Sequence, residues 1–395
     1  MNVSKAAQAL SGLGGAKWDL HFKARKLERE GRDVLALTIG EPDCAMSAEI
    51  LPALDAALAK GRVGYSNGQG EPALLGALAD RYTKNRGRAF SPRNFLALPG
   101  TQTALYVLLN GLVDPGDEVI VFDPCYATYE GLIVSSGAEV VLSPLDPAAD
   151  FAIDFDALER RLTDRTRAIL LNNPHNPTGA VMDEAACRRL GDLAVERGIW
   201  LICDEVYEDL ILDKTAFCSP MQFPEYTAHC VACASISKSH AAPGLRSGWA
   251  VGPEEIIAAL IPLAETMLFG NQPFIADATV AALKGDGATA ENLRQTLATR
   301  ADLVASILGQ SRALRVSKPK AGMFVLVEVS ETGLTGYDFA CDLLEQHSVA
   351  LMPGSSFGSV AGDWVRLSLT HGEEKLREAC TRMAGFADAL MAGKA

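Results

Sequence analysis

From Phe95 onward, short apolar runs alternate with helix-length patterns, and this alternation narrows the fold more than any other feature of the chain. Leu96-Ala97-Leu98 runs into Pro99-Gly100, with a helix starting near Thr101 or Gln102. Residues 118–122, 138–142, 168–171, 199–203 and 230–234 read as strands. Residues 154–162 and 183–197 read as helices, the second stopped by Gly198. Strands that are apolar throughout, separated by helices, point to an α/β fold with a doubly wound, mostly parallel sheet. Beyond it, residues 253–269 and 289–310 read as longer helices, and from Leu314 the pattern is that of an α+β unit. A chain of 395 residues has room for one large and one smaller domain. The expected division is 1–45 for an N-terminal arm and the start of the small domain, 46–285 for the large domain, and 286–395 for an interdomain helix and the small C-terminal domain.

In an open α/β sheet, ligands sit beyond the carboxyl ends of the strands. Four strand ends here carry unusual polar groups. Gly100-Thr101-Gln102 lies where a helix N-terminus offers free amides to a phosphate. Asn172 to Gly179, reading Asn-Asn-Pro-His-Asn-Pro-Thr-Gly, follows one strand, and Asp204-Glu205-Val206-Tyr207 follows another. Ser235-Ile236-Ser237-Lys238 follows a third, with Arg246 eight residues past the lysine. Alone, Lys238 reads equally as a surface lysine in a Ser-rich loop. Together the residue types suit an anionic cofactor with an aldehyde. A lysine amine forms a Schiff base, and a serine hydroxyl and a guanidinium hold a phosphate. Asp204 suits a pyridine nitrogen, Tyr207 and Asn176 suit a ring oxygen, and Tyr126 suits a ring face.

Composition removes other classes. The formal net charge of −13, with 36 Lys and Arg, leaves no basic stripe for a nucleic-acid backbone. No apolar run reaches the roughly 18 residues of a membrane span. The opening Met1-Asn2-Val3-Ser4 precedes no signal-like apolar core, and Gly12-Leu13-Gly14-Gly15 follows no strand, as a nucleotide loop would. The nine scattered cysteines read as reduced, which suits a cytoplasmic protein. Cys230 and Cys233 lie within one strand-like run, with side chains on opposite faces, and no metal set is completed.

In order and spacing, Asn176-Pro177-Thr178-Gly179, Asp204-Glu205-Val206-Tyr207, Ser235-x-x-Lys238 with Arg246, and Arg366 in Val365-Arg366-Leu367-Ser368 resemble the class I and II aminotransferases. These are pyridoxal-phosphate enzymes of fold type I, the aspartate aminotransferase fold, and the resemblance extends from about Leu35 to the C-terminus. It implies that Lys238 bonds the cofactor, Asp204 pairs with the pyridine nitrogen, and Tyr207 and Asn176 flank the ring oxygen. It implies that Gly100, Thr101, Gln102, Ser235 and Arg246 hold the phosphate, with Tyr126 stacked on the ring. Tyr65 would reach the phosphate of a neighbouring subunit, making a homodimer with shared active sites. Arg366 would take the substrate carboxylate, with Asn176, Gly40, Trp18 and His21 completing the substrate site. Trp18 to Phe22 and Ser237 to Ala241 resemble the branch of the family in which a basic donor gives its amino group to pyruvate. The expected reaction is therefore ping-pong transfer from an amino acid donor, arginine or another basic or broad donor, to a 2-oxo acid. The alternatives are an aspartate, aromatic or broad-specificity aminotransferase, or a carbon–sulfur β-lyase.

Overall fold

A computed structural model of the chain describes residues 3–14 and 16–393. Met1, Asn2 and Gly15, on which two of the expectations above touch, lie outside the described residues. Strands are numbered in chain order: β1 Leu35–Ala36, β2 Phe95–Leu98, β3 Glu118–Asp123, β4 Glu139–Asp146, β5 Ala152–Ile153, β6 Thr166–Asn172, β7 Trp200–Asp204, β8 Cys230–Ser235, β9 Gly248–Val251, β10 Arg315–Ser317, β11 Phe324–Glu328, β12 Val349–Ala350, β13 Met352–Pro353 and β14 Trp364–Ser368.

The large sheet has eight strands in the order β2-β9-β8-β7-β6-β3-β4-β5. The run β8-β7-β6-β3-β4 is parallel. The additions at its flanks, β9 on β8, β2 on β9 and β5 on β4, are antiparallel. Helices cover both faces, so side chains alternate between two apolar layers. Ile120 and Phe122 pack on one side, Val119 and Val121 on the other. Cys230 and Cys233 divide the same way, which is why a spacing that suits a redox pair makes none here. The helix Glu184–Arg197 shows how the sequence bounds these elements: Asp183 caps its first turn and Gly198 ends it in the left-handed region.

A second core lies around the antiparallel sheet β10-β11-β14-β13, joined by the parallel pair β1-β12. The helix Ala288–Leu308 contributes Leu293, Leu297 and Val304 to that core. Among the described residues no helix is long and apolar enough to cross a membrane, and no group of three or more His, Cys, Asp or Glu could hold a metal ion.

Candidate active site

The parallel strands place their carboxyl ends side by side, and a cleft of ≈ 270 Å³ opens there. Thr101, Gln102, Tyr126, Asn176, Asp204, Tyr207, Ser235, Lys238, Arg246 and Arg366 all line it, with Gly40 and Trp18. Residues spread over 349 positions of sequence thus meet because β2, β3, β6, β7 and β8 end together and β14 faces them from the second sheet.

Lys238 stands three residues beyond β8, and its Nζ donates to the Gly40 carbonyl at 2.8 Å. Burial pushes the amine down to about 8, against the pull of Glu41. Asp204, the last residue of β7, is 5% exposed. Burial pushes its carboxyl up to about 6, opposed by hydrogen bonds from the Tyr129 hydroxyl and the Val206 amide. Burial likewise raises the Tyr207 phenol, and Asn176 hydrogen-bonds it.

The helix Thr101–Leu112 begins in the cleft with no side chain capping it. Its first amides are free for an anion. Thr101 Oγ1 is buried without a hydrogen-bond partner. Gly100 has a φ of +86°, and a Cβ there would stand 2.3 Å from Arg246 Nη2. The guanidinium therefore approaches the helix start only because that residue is glycine. Ser235 Oγ accepts from the Ser237 amide at 3.3 Å on the same rim.

Arg366 is 2% exposed. Its guanidinium carbon lies 3.8 and 4.3 Å from the ring centroids of Phe324 and Phe357. It donates to Asn176 Oδ1 at 3.0 Å and to the Thr38 carbonyl at 2.8 Å, and its Nε has no partner. Burial pushes it down to about 10. Among the described residues neither Arg366 nor Arg246 makes an ion pair; Arg246 donates to the carbonyls of Pro99 and Pro243. Arg366 is a buried charge without a counter-charge, which is expensive, so that end of the cleft is built for an anion from elsewhere.

Three expected residues do not themselves line the cleft of this chain: Gly100, which sits at the helix start against Arg246, His21 and Tyr65. His21 Nδ1 is bonded to Thr38 Oγ1 at 2.7 Å, one layer behind the carbonyl that accepts from Arg366. Tyr65 is 90% exposed and meets Phe269 edge-on, at 5.8 Å. Trp18 does reach the mouth. It packs on Ala127, Met352 and Phe357, while Lys17 pairs with Glu130 at 2.7 Å. Glu41 and Asp19, carboxylates that would suit a basic side chain, are exposed and do not line the cleft.

Residues not singled out in the sequence also contribute. Asn172 donates to the Asp204 carbonyl at 3.0 Å and accepts from the Asn176 amide at 2.7 Å, fixing both strand ends. It stood in the Asn-Asn-Pro-His stretch and was the only signal available for this role. Tyr129 is buried and bonds Asp204. His175 is turned away to Thr178 Oγ1 at 2.8 Å.

Residues 32–383 match the family model of aminotransferases of class I and II. The chain is 38% identical over 391 residues to the arginine–pyruvate transaminase of Pseudomonas aeruginosa, with 99% of each chain covered. It is 33% identical to the aspartate/prephenate aminotransferase of Thermus thermophilus, over 97% of this chain and 98% of that one. A solved double mutant of Thermus thermophilus aspartate aminotransferase superposes with a TM-score of 0.92 at 33% identity, covering 98% of this chain and 99% of that chain.

Proposed function

From the premise that this chain belongs to the class I and II aminotransferases and is a pyridoxal-phosphate-dependent aminotransferase, we propose that it moves the amino group of neutral, aromatic or aliphatic α-amino acids to a small 2-oxo acid such as pyruvate. The observation that carries the reading is one cleft holding both a buried, unpaired guanidinium at Arg366 and a lysine of lowered basicity at Lys238.

The residues present fit pyridoxal phosphate. The orphaned Thr101 hydroxyl, the uncapped helix start and the Gly100–Arg246 cradle suit its phosphate, with Gln102 and Ser235 at the rim. Tyr126 would take the ring face, Asn176 and Tyr207 the ring oxygen, and Asp204 the ring nitrogen, and all four line the cleft. When bound, the group supplies an aldehyde carbon that takes the amino group and a ring that accepts the electron pair left at the α carbon.

The chain's own residues do the rest. Arg366 binds the carboxylate that all α-amino acids share, and Phe324 and Phe357 keep water from it. Asp204, ionised above about pH 6, holds a proton on the ring nitrogen. Lys238 Nζ, with its amine near 8, is suited to take a proton from the substrate α carbon and return it close to neutral pH.

Side-chain preference falls to the mouth, where Trp18 and Ile39 offer apolar walls. Among the described residues the cations lining the cleft are Lys238, Arg246 and Arg366, each with a role above, so none is left for a second carboxylate. A basic donor with pyruvate as acceptor is the second reading, favoured by the similarity to the Pseudomonas aeruginosa enzyme over 99% of both chains. We also propose a homodimer with shared sites. Tyr65, exposed beside the exposed Phe269, is free to reach a neighbouring cleft.

A panel of donors against pyruvate and 2-oxoglutarate, scored by kcat/KM, tests these readings. Leading aromatic or aliphatic donors support the first, and leading arginine or lysine the second. Leading aspartate or glutamate would reject both. Ammonia and pyruvate released without an acceptor would mark a β-lyase instead.

A further inference from the structure

Asp123 ends β3 at the rim of the large sheet, three residues before Tyr126, and is 3% exposed. Its carboxylate is spent on a loop of the second sheet. Oδ2 accepts from the Ser359 hydroxyl at 2.7 Å and the Ser359 amide at 3.1 Å, and Oδ1 accepts from the Val360 amide at 3.3 Å. The Cys125 amide donates to the Phe357 carbonyl at 2.7 Å alongside. Gly358 lies between these bonds with a φ of +147°, and a Cβ there would stand 1.8 Å from Asp123 Oδ1. Glycine is what lets the loop close on the carboxylate.

The stapled loop carries Phe357, one of the two rings that lie against the Arg366 guanidinium. It leaves β13, whose Met352 is in register with Arg366 of β14. Asp123 and Tyr126 belong to one strand end, and Phe357 and Arg366 to one corner of the other sheet. Beside the direct Arg366–Asn176 bond, this seam, centred on one carboxylate, ties the corner that carries Arg366 to the face of the large-sheet cleft.

We infer that Asp123 is a positioning residue for the substrate carboxylate: it holds residues 357–360 against β3 and so sets where Arg366 stands relative to the cofactor-binding residues. The inference rests on reading Arg366 as the carboxylate site. A displacement of about 1 Å in such an arrangement costs up to about a hundredfold in rate, so the seam is worth keeping rigid.

The test uses the holoenzyme and its Asp123→Ala, Asp123→Asn, Ser359→Ala and Arg366→Lys variants. The probe is 3-phenylpropionate, an unreactive carboxylate titrated by the visible absorbance of the bound cofactor, with KM for alanine and phenylalanine measured beside it. Asp123→Ala should weaken the probe about tenfold and raise both KM values by the same factor, leaving cofactor affinity within about twofold. Asp123→Asn and Ser359→Ala, which each keep part of the seam, should show about threefold effects. If Asp123→Ala does not fold, those two variants decide on the same readouts. Unchanged probe affinity in the folded Asp123 and Ser359 variants would overturn the inference, as would a loss confined to cofactor affinity. Arg366→Lys separates the two ideas. If it binds the probe normally, the carboxylate reading fails; if it loses the probe while the seam variants do not, only the seam fails.

Discussion

Tyr129 donates its phenol hydrogen bond to Asp204 Oδ2 at 2.7 Å, and both side chains are buried beneath the cleft. Burial alone drives the Asp204 carboxyl up, and this bond is the first of the influences that bring it back to about 6. Tyr129→Phe removes it without changing the packed shape. The carboxyl should then rise further and be less ionised at neutral pH. We expect kcat to fall about tenfold at pH 7 and less at pH 8.5, because the acid limb of the profile moves upward. A pH–rate profile superposing on that of the parent would reject this role.

The same carboxylate makes a stability prediction. In the unfolded chain it titrates near 3.8, and in the folded chain near 6. Between those values the folded state holds more protons, so its stability is full below about 4 and is lost as pH rises through 6. Asp204→Asn cannot ionise and keeps an acceptor for Tyr129. The cofactor-free variant should gain up to about 3 kcal/mol over the parent at pH 7.5, with most of that gain gone at pH 4.5. Turnover should be lost at both. Urea unfolding at the two pH values measures it, and an equal difference at both would sink the argument.

Much of this site was legible because it is built from strand ends. A strand buried on both faces is an apolar run, and the polar residue that breaks the run marks where the chain leaves the sheet. Gly100, Asp204 and Ser235 were all found this way. What was not legible depends on contacts across long sequence separations. Nothing in the sequence ties Tyr129 to Asp204, or Asp123 to Ser359, because each bond joins elements that meet only in the assembled fold. The antiparallel placement of β9 between β8 and β2 was hidden for the same reason. Apolar runs carry no record of strand direction. His21 sits on the arm helix Asp19–Arg29, one turn past Trp18, yet it faces Thr38 rather than the cleft. Sequence spacing placed it on the arm but could not say which wall the arm presents.

Gly100 should be indispensable for holding the cofactor phosphate. An L-residue at its φ of +86° and ψ of 169°, a region essentially confined to glycine, costs about 1–3 kcal/mol, and its Cβ would meet Arg246 Nη2 at 2.3 Å. Gly100→Ala should therefore fold, since the displaced group is a side-chain end, but should bind pyridoxal phosphate at least about tenfold more weakly. Equilibrium dialysis against the free cofactor reads this directly. Undiminished affinity would mean that Arg246 is not held where the cradle requires it.

Directly behind Asp204, Arg86 is buried against Glu205 at 2.8 Å and also pairs with Glu208, while Arg81 pairs with Glu208 at 3.0 Å and Asp209 at 2.7 Å. The Arg86 guanidinium also lies over Tyr82 and Phe217. Burial pulls the Glu208 carboxyl up, but Arg86 and Arg81 outweigh it and hold the group down at about 2. This network pins the helix Pro72–Arg86 under the segment that carries Asp204 and Tyr207. Arg86→Met keeps the volume, strands Glu205 in a dry interior and leaves Glu208 with Arg81 alone, which should cost about 3–5 kcal/mol at pH 7. Glu208 is stabilising above its unfolded value of 4.5 and loses that contribution as pH falls toward 2, so the deficit should narrow in acid. Adding Glu205→Gln and Glu208→Gln to Arg86→Met removes the stranded charge and the half-paired one and should recover about half of the loss. Denaturant midpoints for the single and triple variants decide it. A single variant as stable as the parent would show that the network carries no net stabilisation, and a triple variant no better than the single would assign the cost to lost packing over Tyr82 and Phe217 instead.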